Sequence, residues 1–140
     1  EKMERSLHQA VYNLKIMDDM FDGTYLAQPA MRVVEAQLKI VLKECEIIPN
    51  VQYIKENHFD MFDKIGAKYR LKPDRYGKAK PDQIRYIGNI YTFYNTNRHR
   101  IEHWDDPTAP LDTTEILDIE RAHDLIKRAL AVIDEYYETI

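Results

Sequence analysis

The stretch Pro81–Pro107, PDQIRYIGNIYTFYNTNRHRIEHWDDP, decides how the chain is read. Ile84, Ile87, Tyr91 and Tyr94 recur at three- and four-residue steps, the spacing of one face of an α-helix, and Arg98 continues that line one turn beyond Tyr94. Pro81 suits a first helical position, where its missing N–H costs nothing. Trp104-Asp105-Asp106-Pro107 must end the helix, because the residue before a proline is pushed out of the helical region.

The same period runs through most of the flanking sequence. Met3, Leu7, Ala10, Val11, Leu14, Met17 and Phe21 predict one long amphipathic helix that stops near Asp22-Gly23. A second helix opens at Pro29, carries Met31, Val34, Leu38, Val41, Leu42 and Cys45 on one face, and ends before Pro49. Val33 and Ile40 add apolar surface to its other side, so it should be largely buried. Asn50 can cap a third helix over about residues 51–64, anchored by Tyr53, Ile54, Phe59 and Phe62. Residues 66–80, GAKYRLKPDRYGKAK, show no clean period and read as a basic loop before the fourth helix. Asp112 with Glu115 resembles a capping box, and Ile116, Ile119, Ile126, Leu130, Ile133 and Tyr137 carry a fifth helix to the C-terminus.

The expected fold is therefore all-α, a bundle of about five helices in a single domain over residues 1–140. With 44% hydrophobic and 31% charged residues the chain is an ordinary globular sequence, and no apolar run approaches the roughly 20 residues of a membrane span. Its one cysteine, Cys45, excludes an internal disulfide framework and reads as a small core residue, so a reducing compartment, the cytoplasm, is expected. A start at Glu1 rather than Met leads us to expect a piece cut from a longer chain.

The densest cluster of reactive side chains is Asn97-Arg98-His99-Arg100-Ile101-Glu102-His103, in which two motifs overlap. Arg98 and His103 form an R-x4-H pair, a cation able to hold a phosphate beside an imidazole that titrates near neutrality. His99 to His103 also fits H-x-x-E-H, the inverted zinc-peptidase pattern, with Glu115 or Glu120 available as a third ligand. In a straight helix Arg98 and His103 point about 140° apart. The first reading therefore needs the helix to loosen before His103, and the second needs it intact. Glu35, about 20° from Leu42 on a helical wheel, flanks the second helix's apolar stripe. A carboxylate there is partly desolvated and can orient an imidazole or pair with Arg98. His123 is expected to be a packed histidine, and His8 and His58 have no reactive neighbours in sequence.

Charge is distributed unevenly around this cluster. The formal net charge of −4 discourages a nucleic-acid ligand. Residues 64–100, however, hold ten Lys/Arg against Asp74 and Asp82, a net of +8, while residues 1–63 carry −4 and residues 101–140 carry −8. Tyr69, Tyr76, Tyr86, Tyr91 and Tyr94 are interleaved with the basic residues, a composition suited to a groove that tracks phosphates and stacks unpaired bases. His99, Arg100, Lys78, Lys80 and Arg85 are the candidate substrate-binding residues. A solvated basic face, or one half of an interface with the acidic fifth helix, would have the same composition.

Five helices with Arg98-His99-x-x-x-His103 at the end of the fourth resemble the HEPN superfamily, helical nucleases of bacterial and archaeal conflict systems. The superfamily signature is R-x4–6-H, commonly with Asn, Asp or His directly after the arginine, the place His99 takes here. Within it the chain is most similar to the C-terminal domain of RNase LS-type toxins, in which a glutamate on an earlier helix joins the arginine and histidine. Glu35, in Arg32-Val33-Val34-Glu35-Ala36-Gln37-Leu38-Lys39, matches that glutamate. The HEPN branch partnered with minimal nucleotidyltransferases carries R-x4-H-x-Y; Trp104-Asp105 follows His103 here, so that branch does not match.

The resemblance implies a metal-independent endoribonuclease, the toxin of a toxin-antitoxin or phage-defence system, that cleaves single-stranded RNA or mRNA to 2′,3′-cyclic phosphate ends without a cofactor. It assigns Arg98 to the scissile phosphate, His103 to general acid or base catalysis, and Glu35 to orienting one of the two. It further implies a homodimer with a composite cleft lined by the 66–80 loop, and an antitoxin with an acidic surface. Some HEPN domains have lost activity, so a non-catalytic module that binds RNA or protein is the alternative.

Overall fold

A computed structural model describes residues 1–18, 20–102, 107–108 and 114–140. Among these the fold is mostly helical, with five α-helices and one two-stranded sheet: α1 (Lys2–Asn13), α2 (Gln28–Glu44), α3 (Gln52–Asn57), β1 (Phe62–Ile65), β2 (Lys68–Leu71), α4 (Pro81–Glu102) and α5 (Ile119–Thr139). Short 3-10 turns at Thr24–Ala27 and Pro73–Arg75 precede α2 and α4. No described helix is long and apolar enough to cross a membrane.

The second helix is the hub. Its Ala30, Met31, Val33, Val34, Gln37, Leu38, Val41 and Leu42 are all buried, and it packs against α1, α4 and α5. Of the α4 stripe read from sequence the structure buries Ile87 and Tyr94 and leaves Ile84 and Tyr91 half-buried, and it adds Ile90 and Tyr86, whose hydroxyl donates to Val132 O at 2.9 Å. Burial pushes the Tyr86 phenol well above its ordinary pKa, with Glu135 adding to the shift. Because this phenol is 1% exposed, Tyr86→Phe is expected to lower stability by about 1 kcal/mol, read as a fall in the urea midpoint at constant slope. In α5, Ala122, Leu125, Ile126, Ala129 and Ile133 close the core.

Four expectations need correction. The first helix ends at Asn13 rather than near Phe21, although its period continues. Asn13 is buried and donates through Nδ2 to Leu26 O at 2.9 Å, and beyond it Leu14 still packs against the core but the stripe then runs into solvent: Met17 is 74% exposed and Phe21 fully so. The third helix stops at Asn57, even though Asn50 does accept the Tyr53 N–H through Oδ1 at 3.0 Å. Its chain is turned by two successive left-handed residues, His58 (φ 50) and Phe59 (φ 58). The basic loop is in large part an antiparallel hairpin, with Phe62 opposite Leu71 and Lys64 opposite Tyr69. Gly66, at φ +63, opens its two-residue connection with Ala67, the backbone shape that primed hairpin turns demand. Finally, the fifth helix begins at Ile119 with Asp118 as its cap, whose Oδ1 accepts the Arg121 N–H at 2.8 Å. Ile116 lies before it and is half exposed, and Asp112 is outside the described residues.

The hairpin lies against α4 at close range. A Cβ at Gly88 would meet Tyr69 O at 3.1 Å, and Thr92 Oγ1 accepts the Tyr69 N–H at 2.9 Å. A small residue and a hydroxyl one turn apart thus dock β2 onto the helix that carries the reactive cluster.

Candidate active site

Tyr94 is the last buried residue of the α4 stripe, so Arg98, one turn further on, emerges at the surface with its guanidinium 5.6 Å from the Tyr94 ring centroid. α2 packs beside α4, and its flank position Glu35 opens into the same cavity as Arg98. This cavity, about 700 Å³, lies between α2, α3 and α4, and Lys39, His58, Tyr91 and Tyr94 also face it. Sequence placed Glu35 and Arg98 on separate helices, and the fold brings them to one space.

Within it, Glu35 is held by its own helix. Lys39 Nζ donates to Glu35 Oε1 at 2.6 Å, an i,i+4 pair that takes up the carboxylate in place of the expected partner Arg98. Lys39, Lys55 and Arg98 against Glu35 leave cations in excess among the described lining residues, which favours an anionic ligand. Burial pushes the Tyr91 phenol up, Tyr69 adds to this, and the Arg98 charge opposes it. Tyr91 is therefore neutral at physiological pH and offers a ring and a hydroxyl.

α4 continues through Glu102. His103 follows directly and lies outside the described residues, so the R-x4-H and H-x-x-E-H geometries both fall outside them. Of the ligands considered for zinc, Glu115 is engaged by two guanidinium groups, Arg121 at 3.0 Å and Arg100 at 3.7 Å. Among the described residues no group of three His, Cys, Asp or Glu side chains converges to hold a metal.

The basic segment is divided between the two ends of α4. His99 and Arg100 line a second cavity of about 600 Å³, between the hairpin and the last turns of the helix. Lys78 binds Glu46 at 2.7 Å and Arg85 lies 3.3 Å from Asp82, both near the start of α4, where Lys80 is also exposed. Thirteen residues of helix put Arg85 about 20 Å from Arg98 along the axis. The structure therefore places His99 and Arg100 in a cavity that neighbours the one of Glu35 and Arg98, and sets Lys78, Lys80 and Arg85 apart from both.

Sequence reasoning missed His58, Lys39 and Lys55. The Lys39 pairing was readable at i+4, but His58 reaches the cavity only through the left-handed turn after α3, which no local signal announces. His123 and Cys45 behave as read. His123 Nε2 lies 3.0 Å from Asn13 O, and the Cys45 thiol is buried with its pKa pushed up by desolvation and by Glu44.

A family model described as RNase LS, bacterial toxin DBD domain matches residues 1–105, a span that includes Glu35, Arg98 and His103. The chain is 31% identical over 119 residues to the mRNA endoribonuclease toxin LS of Escherichia coli (strain K12), a match covering 85% of this chain and 32% of that protein. The chain thus spans about a third of the length of the curated relative it matches.

Proposed function

The chain belongs to the RNase LS, bacterial toxin DBD domain family, and from that premise we propose that it carries the nuclease centre of an endoribonuclease toxin that cuts single-stranded RNA or mRNA. The observation that carries this reading is the shared cavity of Glu35 and Arg98, two residues 63 positions apart that the HEPN resemblance requires together. The cavity's excess of cations and its tyrosines suit a phosphodiester flanked by unpaired bases.

In this reading the domain is of HEPN type, and the reaction needs no metal ion. The ribose 2′-oxygen attacks the adjacent phosphorus and the P–O5′ bond breaks, giving a 2′,3′-cyclic phosphate and a free 5′-hydroxyl. His103 removes the 2′-hydroxyl proton or delivers one to O5′, a task that suits an imidazole titrating near neutrality. Arg98 holds the phosphate and stabilises the charge that gathers on its oxygens, and a planar fork of donors is the natural match for that group. Glu35, together with Lys39, orients this apparatus from α2, and His99 assists from the other side of α4. The active form is a homodimer with a composite cleft, an antitoxin covers that cleft with an acidic surface, and the protein works in the cytoplasm.

Incubation with single-stranded RNA in excess chelator tests the mechanism. Cleavage is expected to persist undiminished and to leave 2′,3′-cyclic phosphate ends. Activity that chelation abolishes and zinc restores would instead establish the H-x-x-E-H chemistry. Stable RNA binding without turnover by the wild-type protein would establish the non-catalytic module.

A further inference from the structure

The cavity between the hairpin and the end of α4 lies outside the Glu35–Arg98 centre, and Lys64, Tyr69, Asn95, Thr96, His99 and Arg100 face it. Among the described residues no carboxylate lines it. At about 600 Å³ it falls within the range of small-ligand sites. Lys64 and Tyr69 are directly opposed across the hairpin register, with the Lys64 ammonium 6.0 Å from the Tyr69 ring centroid. The ring is braced from behind by Tyr91, edge to face at 5.0 Å, and its backbone is fixed to α4 at Thr92. Asn95 lines both this cavity and the one containing Glu35 and Arg98. A strand seated at Arg98 therefore meets the hairpin cavity on crossing Asn95.

We propose that this second cavity binds the nucleotide neighbouring the scissile phosphate, with Lys64 and Arg100 on its phosphate, Tyr69 against its base, and Asn95 and Thr96 within reach of the base edge. The inference rests on the ribonuclease reading above and adds to it the hairpin as the element that selects single strands. A paired base has both faces covered by its stack, so only an unpaired one can lie on Tyr69. Charge and ring arrive together through one four-residue register, and the dock at Gly88 and Thr92 holds them in place before RNA arrives.

The test is anisotropy of a fluorescein-labelled, 2′-O-methylated single-stranded oligoribonucleotide, which cannot be cleaved, titrated with the 140-residue chain over a range of salt. Lys64→Gln, an exposed position, is expected to weaken binding and to flatten the slope of log affinity against log salt by about 0.7, the contribution of one single-strand phosphate. Tyr69→Leu, which keeps apolar bulk against Tyr91, is expected to weaken binding roughly tenfold with the salt slope unchanged. Lys15→Gln, exposed beyond the end of α1, supplies a control for loss of charge elsewhere. The inference is overturned if Lys64→Gln and Tyr69→Leu match the wild type, if Lys64→Gln merely equals Lys15→Gln, or if Tyr69→Leu weakens duplex RNA as much as single strands. A wild type that cleaves while these variants bind normally removes this inference alone. A wild type that neither binds nor cuts RNA removes the ribonuclease reading with it.

Discussion

Arg98→Ala is expected to slow cleavage of single-stranded RNA by about 10²- to 10³-fold, the usual cost of removing a donor aimed at developing oxyanion charge. The fold should tolerate it. Arg98 is exposed, so the contacts it makes are screened by solvent, and the one with the Tyr94 ring is worth about 1 kcal/mol. Far-ultraviolet circular dichroism and the melting temperature should therefore stay close to wild type while kcat collapses. Arg98→Lys separates charge from geometry: an ammonium keeps the charge but loses the planar fork, so only partial recovery is expected. His103→Ala should cost about 10²- to 10⁴-fold by loss of proton transfer. The double variant should be little worse than the more damaged single one, because two groups serving one transition state do not contribute additively. An Arg98→Ala protein with wild-type kcat would remove the arginine from the reaction.

How much of this was legible in the sequence depended on whether the deciding contact was local. α2 and α4 were readable because an opening proline and an apolar stripe at helical spacing are both properties of neighbouring residues. The stripe over Met3–Phe21 misled because periodicity records what could be buried, while the end of α1 is set by the bond from Asn13 to Leu26, thirteen residues away. The hairpin was hidden by its brevity and composition. Each strand has four residues, and Lys64 stands where an alternating pattern would show an apolar side chain. Its readable trace was Gly66-Ala67 between Phe62-x-Lys64 and Tyr69-x-Leu71. The site divides in the same way: the spacing of Arg98 and His103 is in the sequence, and the arrival of His58 and Lys39 beside Arg98 is a product of tertiary packing.

Gly77→Ala is expected to be the most damaging single-methyl change in the chain, lowering stability by about 3 kcal/mol. Gly77 sits at φ +54, and a Cβ built there would lie 2.5 Å from Cys45 O and 3.0 Å from the carbonyl carbon of Glu46. Both are backbone atoms, with no rotamer by which to withdraw. They are also held where they are, because Lys78 N–H donates to Cys45 O at 2.7 Å and Lys78 Nζ pairs with Glu46 at 2.7 Å. Gly66→Ala separates the two penalties. At φ +63 with nothing within 4 Å, it should lose only the left-handed term, about 1 kcal/mol. For a chain of this length the excess in Gly77→Ala should appear as a melting temperature roughly 5–10 °C below that of Gly66→Ala. The consequence reaches the site, since this crossing fixes the start of α4, at Pro81, against the end of α2, at Glu44, and so helps set Arg98 opposite Glu35. Gly77→Ala protein that remains folded at low temperature should therefore cut RNA more slowly than Gly66→Ala protein does. Equal stability in the two variants would mean that the crossing is not as close as 2.5 Å implies, and that α4 is held on α2 by its apolar stripe alone.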